Sequence, residues 1–320
     1  MEPAPEVVIV ADYDDPDADN LTRDLVSRGF EVRWLQLGLS YQAYDVTIDR
    51  SRAEICGEGC LITSDVMESA KTIVVRRWKV APPFPIVVAD LPGDPESFAE
   101  REWEATFRVL FSRWRDVSNP ALWSRDPFLL ADKIHLLRAA ELAGALVPSS
   151  QIVSRASASA RDLVSKAIGP NQAVTKGHRY ATTLVRRPEM DYLFEGVQPC
   201  PVLLQDKIEV EREIRVAYSF GRCGASMQQR VDGPWDPVDI RYAQVERMSV
   251  PLPEGLEEVL HSFAASTGLQ LFTADVLLDG EERTWLVDIN PDGLFIAADD
   301  DQRSLTSVLV NGIVANLAAG

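Results

Sequence analysis

The chain is short of positive charge: 32 Lys and Arg stand against 49 Asp and Glu, a formal net charge of −17. An excess of carboxylates repels phosphate over most of a surface, which argues against a nucleic-acid groove. Long apolar runs are also missing. None approaches the roughly 20 residues of a membrane span, and no signal-peptide pattern opens the chain. Cysteine is scarce, with only Cys56, Cys60, Cys200 and Cys223. The close pair in Cys56-Gly57-Glu58-Gly59-Cys60 has no second pair to complete a zinc site, so both are expected as small buried residues flanking a turn. This usage fits a reducing cytoplasm. His135, His178 and His261 are the only histidines, and His178 lies in a loop following a strand. No G-x-G-x-x-G follows the first strand-like run, which removes a dinucleotide from that position.

What is present is enough apolar material for a large core: 46% of 320 residues, compatible with two or three domains. Residues 7–11 read as a buried parallel strand, 21–28 as a helix stopped by Gly29, and 30–35 as a second strand, a βαβ opening. A meander over 45–62 and a strand over 72–78 follow. A helix over 96–116 carries Phe98, Trp103, Phe107, Leu110, Phe111 and Trp114 at helical intervals, a stripe suited to a core or a dimer contact. A second helix spans 127–143. Further helices are expected at 158–168, 253–267 and 304–317, and strands at 150–154, 172–176, 202–207 and 213–220. The pattern is mixed α/β and α+β, with domains expected at 1–122, 123–205 and 206–320.

The chemistry concentrates near the C-terminus. Phe272-Thr273-Ala274-Asp275-Val276-Leu277-Leu278 and Trp285-Leu286-Val287-Asp288-Ile289-Asn290 are strand-like runs joined by a polar turn. Alternation puts Asp288 and Asn290 on one face, and the apolar neighbours make the second strand look central. If the turn closes a hairpin, Asp275 joins them. Two acids and an amide oxygen form a hard-oxygen set suited to Mg²⁺, with room left for phosphate. Upstream, Lys133 on a helix and Lys176 at a strand end could neutralise phosphates. Gln205-Asp206-Lys207-Ile208 could form a hinge beneath a purine. Glu213 could hold ribose hydroxyls, and Arg215, on the same strand face, could meet a transferred phosphate or an acyl-phosphate oxygen.

In this order the residues resemble the ATP-grasp ligase superfamily. Asp206 to Glu213 spans seven positions and Asp275 to Asp288 thirteen, similar to the spacings in D-alanine–D-alanine ligases. Val75-Arg76-Arg77-Trp78, Glu102, Val117-Ser118-Asn119-Pro120, Val147-Pro148-Ser149-Ser150, Glu213-Ile214-Arg215 and Asp288-Ile289-Asn290-Pro291-Asp292-Gly293 look like the graspetide, or microviridin-type, synthetases, relatives of the ribosomal-protein glutamate ligases. Asp288 stands where that family usually carries Glu, and Thr273 where D-alanine ligases carry arginine.

The resemblance implies an N-terminal pre-ATP-grasp α/β domain with central and C-terminal α+β lobes. It implies ATP as co-substrate, with Mg²⁺, two ions by family habit, on Asp275, Asp288 and Asn290. Lys133, Lys176, Gln205, Asp206, Lys207, Ile208, Glu213 and Arg215 would bind nucleotide, and Lys176 and Arg215 would also serve catalysis. The implied reaction activates a side-chain carboxylate of a ribosomal precursor peptide (leader plus core) as an acyl phosphate, which a Ser or Thr hydroxyl or a Lys amine displaces. A cytoplasmic homodimer is implied. Two other readings share the same residues: a ligase joining an amino acid or amine to a small acid or protein tail, and a nucleotide-binding scaffold without turnover.

Overall fold

The computed structural model describes residues 5–37, 44–50, 52–57, 60–76, 95–127, 132–153, 163–166, 173–175, 179–181, 202–230, 245–293 and 303–319. Strand β1 (Val7–Asp12), helix α1 (Pro16–Ser27) and strand β2 (Val32–Leu37) make the expected βαβ unit. Asp15 caps α1, its carboxylate accepting from the Asp17 and Ala18 amides, and Gly29 leaves the helix at φ 89°. An antiparallel meander follows, β3 (Asp45–Ile48), β4 (Ala53–Gly57) and β5 (Cys60–Ile62). Helix α2 (Ser64–Ser69) returns the chain to β6 (Thr72–Val75), giving a parallel sheet of order β2-β1-β6.

Cys56 is exposed and Cys60 half-buried, contrary to the expectation that both are buried. Alternation along β4 and β5 sends Ile55 and Ile62 inward instead.

The parallel sheet is buried on both faces, which is why β1 is apolar at consecutive positions. Val8 and Val10 face the meander and helix α3 (Pro95–Val117), whose Phe107, Leu110, Phe111 and Trp114 fill that core. Trp114 Nε1 donates to the Ala53 carbonyl at 2.9 Å, so the stripe from Phe107 to Trp114 is core packing.

Helix α4 (Lys133–Leu142) leads to β7 (Ser150–Val153), β8 (Leu163–Lys166), β9 (Ala173–Thr175), β10 (Arg179–Ala181) and β11 (Val202–Asp206). Strands β7-β11-β8 form one antiparallel sheet and β9 pairs with β10. The helix expected over 158–168 is corrected at residues 163–166, which are β8; the rest of that range lies outside the described residues. Strand β11 takes a neighbour on each side, and pairing of Gln205 with Val164 and Asp206 with Leu163 overrides local helical spacing.

The C-terminal sheet is antiparallel. Its strands are β12 (Arg212–Ser219), β13 (Arg222–Arg230), β14 (Val245–Val250), β15 (Leu271–Leu278) and β16 (Thr284–Asn290), in the order β14-β13-β12-β15-β16. Helix α5 (Leu256–Thr267) precedes β15 and packs with α4 on one face, over Ile214, Val216, Phe272 and Leu286. Helix α6 (Arg303–Ala319) covers part of the other face and reaches the N-terminal sheet: Leu305, Leu309, Val310 and Ile313 share one cluster with Val7, Ile9 and Ala11. Where α6 crosses β12 only glycine fits, because a Cβ on Gly312 would lie 2.1 Å from the Ser219 carbonyl oxygen. No described helix is long and apolar enough to cross a membrane.

Candidate active site

Strand register builds the site. Arg215 on β12 lies opposite Asp275 on β15, and Asp275 lies opposite Asp288 on β16. Cross-strand partners present their side chains to one face, so a cation and two carboxylates stand in a row. The Arg215 guanidinium forks onto Asp275, Nε to Oδ1 at 2.9 Å and Nη2 to Oδ2 at 3.3 Å. Lys133, the first residue of α4, reaches Asp288 Oδ2 at 3.3 Å. That helix start is fixed by Asp132, whose carboxylate accepts from the His135 amide at 2.8 Å.

Sequence reasoning missed a third cation. Lys166, on β8, donates to the Val287 carbonyl at 3.0 Å and lies within electrostatic reach of Asp288, Asp275, Glu213 and Lys133. Burial pushes its ammonium below the ordinary lysine range, against the pull of Asp288; Lys133 pushes the same way. Burial would push the Asp275 carboxyl up, but the Arg215 charge and hydrogen bonds, then Lys166 and Lys133, hold it below the usual range. The Arg215 guanidinium is held above its ordinary range, first by Asp275. The signal for Lys166 was the short strand-like run Leu163-Val164-Ser165-Lys166, hidden by reading the segment as helical.

The acids fit a hard divalent cation. Asp288 Oδ1 is buried and has no hydrogen-bond partner among the described residues, the condition of a carboxylate oxygen aimed at a metal. Asn290 pairs in register with Thr273, one alternation along from the acids, and its side-chain oxygen accepts the Asp292 amide at 2.9 Å in a turn. Strand β16 is an edge, not central as its apolar residues suggest. Its outer rim is nevertheless covered: Leu286 donates its amide to the Leu146 carbonyl at 2.9 Å, and Lys166 and Gln205 donate to the Val287 carbonyl.

The hinge residues are divided. Gln205 turns inward, its amide nitrogen donating to Ser150 Oγ at 3.2 Å, while Asp206 is exposed and Lys207 pairs with Glu209. Ile208, Lys207 and Glu209 line a cleft of about 390 Å³ against Asp279, Gly280 and Trp285. Glu213 is half-buried, on the Arg215 face of β12, and within electrostatic reach of Arg215 and Lys166. Lys176 and His178 lie outside the described residues.

The loop after β16 is braced from the N-terminal half, an arrangement sequence reading also missed. Arg76, fully buried, pairs with Asp15 at 3.1 Å and Asp17 at 2.6 Å, and donates to the Gly293 carbonyl at 3.4 Å. Arg125 pairs with Asp292 at 2.9 Å and donates to the Arg76 carbonyl at 3.0 Å. A Cβ on Gly293 would lie 1.7 Å from Thr273 Oγ1, so the loop lies directly on β15.

Comparison with known proteins gives a fold. No family model matches the chain, and no curated protein matches it. Among solved structures, the macrocyclase MdnC of Microcystis aeruginosa MRC bound with precursor peptide MdnA is similar at 17% identity and TM-score 0.72, covering 95% of this chain and 99% of that one. The ATP-grasp ligase PsnB complexed with minimal precursor, Mg and ADP is similar at 14% identity and TM-score 0.68, with 98% of each chain covered. A Chryseobacterium gregarium RiPP-associated ATP-grasp ligase in complex with ADP, a leader and a core peptide matches at 15% identity and TM-score 0.64, covering 95% of this chain and 96% of that one. The fold is therefore that of the ATP-grasp ligases.

Proposed function

Proceeding from an ATP-grasp fold, we propose that this chain is an ADP-forming ligase. It activates a side-chain Asp or Glu of a ribosomal precursor peptide and closes it onto a Ser or Thr hydroxyl, or a Lys amine, of the same peptide. The observation that carries this reading is the row Arg215-Asp275-Asp288 with Lys133 and Lys166 around it. The peptide substrate is drawn from MdnC, bound with a precursor peptide, and the Chryseobacterium ligase, in complex with a leader and core peptide, both similar to this chain over at least 95% of its length.

In this reading Asp275, Asp288 and Asn290 hold Mg²⁺, which when bound neutralises charge on the phosphate oxygens. Lys133 and Lys166 sit on or beside these carboxylates and are placed to bind the polyphosphate, Lys166 in the role first assigned to Lys176. Arg215 supplies a fixed cation for the transferred phosphoryl group. Gln205, Asp206, Lys207 and Ile208 form the adenine hinge and Glu213 holds the ribose. The peptide carboxylate takes the γ-phosphoryl group, ADP leaves, and the incoming hydroxyl or amine displaces inorganic phosphate. The protein acts in this reading as a cytoplasmic homodimer, checked by light scattering.

The test is incubation with Mg-ATP and a precursor-type peptide rich in Thr, Ser, Asp and Glu. One ADP released and one water lost from the peptide mass per ring support the reading. ADP release with intact peptide mass, across precursors encoded beside the gene, overturns it.

A further inference from the structure

On the sheet face opposite Arg215 lies a second cluster that the ligase reading does not use. Alternation along β12 sends Arg215 to one face and Tyr218 to the other. Residues Phe220 (φ 42°) and Gly221 (φ 79°) form a two-residue turn with both angles positive, which pairs Tyr218 directly with Cys223 on β13. Helix α5 packs on this face, and its Glu257 and His261, one turn apart, point at the same spot. The Cys223 sulfur, a Glu257 oxygen and a His261 ring nitrogen all lie within 4.8 Å of one another, with His261 Nε2 at 3.7 Å from Glu257 Oε1. We propose that Cys223, Glu257 and His261 form a site for a borderline-soft divalent metal of the Zn²⁺ class, distinct from the acidic Mg²⁺ site.

Two observations carry this beyond proximity. The donor set is one thiolate, one imidazole and one carboxylate, the mixture that selects zinc or cobalt over magnesium. Bonds of about 2.0–2.3 Å in a tetrahedron set ligand atoms roughly 3.3–3.7 Å apart, so the observed spread closes by small side-chain rotations. Independently, His261 is already oriented for ligation. The Tyr218 hydroxyl, on a residue only 4% exposed, lies 3.3 Å from His261 Nδ1, and the two rings meet edge to face at 5.6 Å. With Nδ1–H donating to the phenol oxygen, Nε2 is left as the lone-pair ligand, the outer partner that metal-binding histidines use to fix their tautomer. On binding, the Cys223 thiol releases one proton to solvent and its sulfur bonds the metal. Three protein ligands leave a fourth position for water. The bound ion ties the first turns of α5 to the β12–β13 hairpin.

The test is Co²⁺ titration of the full chain under reducing conditions, read by the near-ultraviolet thiolate-to-cobalt charge-transfer band. One equivalent per chain is expected, reversed by Zn²⁺. The band should vanish in Cys223→Ser and persist in Cys56→Ser/Cys60→Ser and in Asp275→Asn. His261→Asn should bind at least about 10-fold more weakly, and Tyr218→Phe about 10- to 100-fold. His261 and Glu257 are solvent-exposed enough that His261→Asn and Glu257→Gln keep the fold, so the result does not hang on Cys223→Ser alone. No band in the native chain, or a band that survives Cys223→Ser or disappears in Cys56→Ser/Cys60→Ser, overturns the site.

Discussion

A buried carboxylate oxygen without a hydrogen-bond partner is costly unless a cation completes it, and Asp288 Oδ1 has none among the described residues. Asp288→Asn keeps the volume and removes the charge. ADP release should fall by roughly 10²–10³-fold, the order seen when a positioned electrostatic group is lost, while the melting temperature holds or rises slightly. Steady-state kinetics beside calorimetry would check both. Lys166→Met removes a charge with little change in length, and the expected loss is mainly in ATP affinity, read as a raised KM for ATP. A rate and KM equal to those of the native chain would return the strand-lysine role to Lys176. The residues on regular strands were legible because alternation tells which way each side chain faces: Glu213 with Arg215, and Asp288 with Asn290. Lys166 was not, since its orientation follows from pairing with β11 across a long intervening segment. Nor was the union of Cys223 with His261, which no local spacing encodes.

Elements depend on their turns. The β15–β16 hairpin is templated by Asp279, which accepts from the Glu281 and Arg283 amides at 3.0 Å each, from Arg283 Nε at 2.7 Å and from Trp285 Nε1 at 2.9 Å. The Trp285 and Arg283 hydrogen bonds hold its carboxyl below the ordinary 3.8. A depressed folded-state value means the stabilisation is complete above that ordinary value and drains away as pH falls below it. Asp279→Asn should therefore lower the melting temperature at neutral pH and flatten its fall on acidification, measured by thermal melts from neutral pH downward. The hairpin holds β15 against β16 up to the register shift between Asp275 and Val276 that brings Asp288 opposite Asp275, so the same variant should lose ligase rate. Sequence reading found this hairpin from its polar turn. It misplaced β16 as central, because burial by side chains from another sheet looks, in one dimension, like burial between strands.

For the whole molecule the decisive feature is mixed cores. The N-terminal sheet shares one cluster with α6, and Arg76 links Asp15 and Asp17 to the loop after β16. Gly312→Ala forces a methyl group against the Ser219 carbonyl oxygen and should cost about 1–3 kcal/mol, seen as a lower denaturation midpoint. Arg76→Met removes the buried cation shared by Asp15 and Asp17 and should cost more, about 3–5 kcal/mol. Both variants should unfold in one transition monitored by tryptophan fluorescence and circular dichroism together; two separated transitions would contradict a shared core. The βαβ opening and the C-terminal strands could be read from the chain, but not their mutual burial, because an apolar face does not announce its partner.

That sharing has a consequence for how the protein is made. Val7, Ile9 and Ala11 emerge from the ribosome roughly 300 residues before Leu305, Leu309 and Ile313, which cover them. Throughout translation of the intervening chain, helix α1 covers that face only in part through Ala18, Leu21 and Leu25, and the portion awaiting α6 stays bare and adhesive. Chaperone occupancy of the nascent polypeptide should persist until α6 has been synthesised, and stop there.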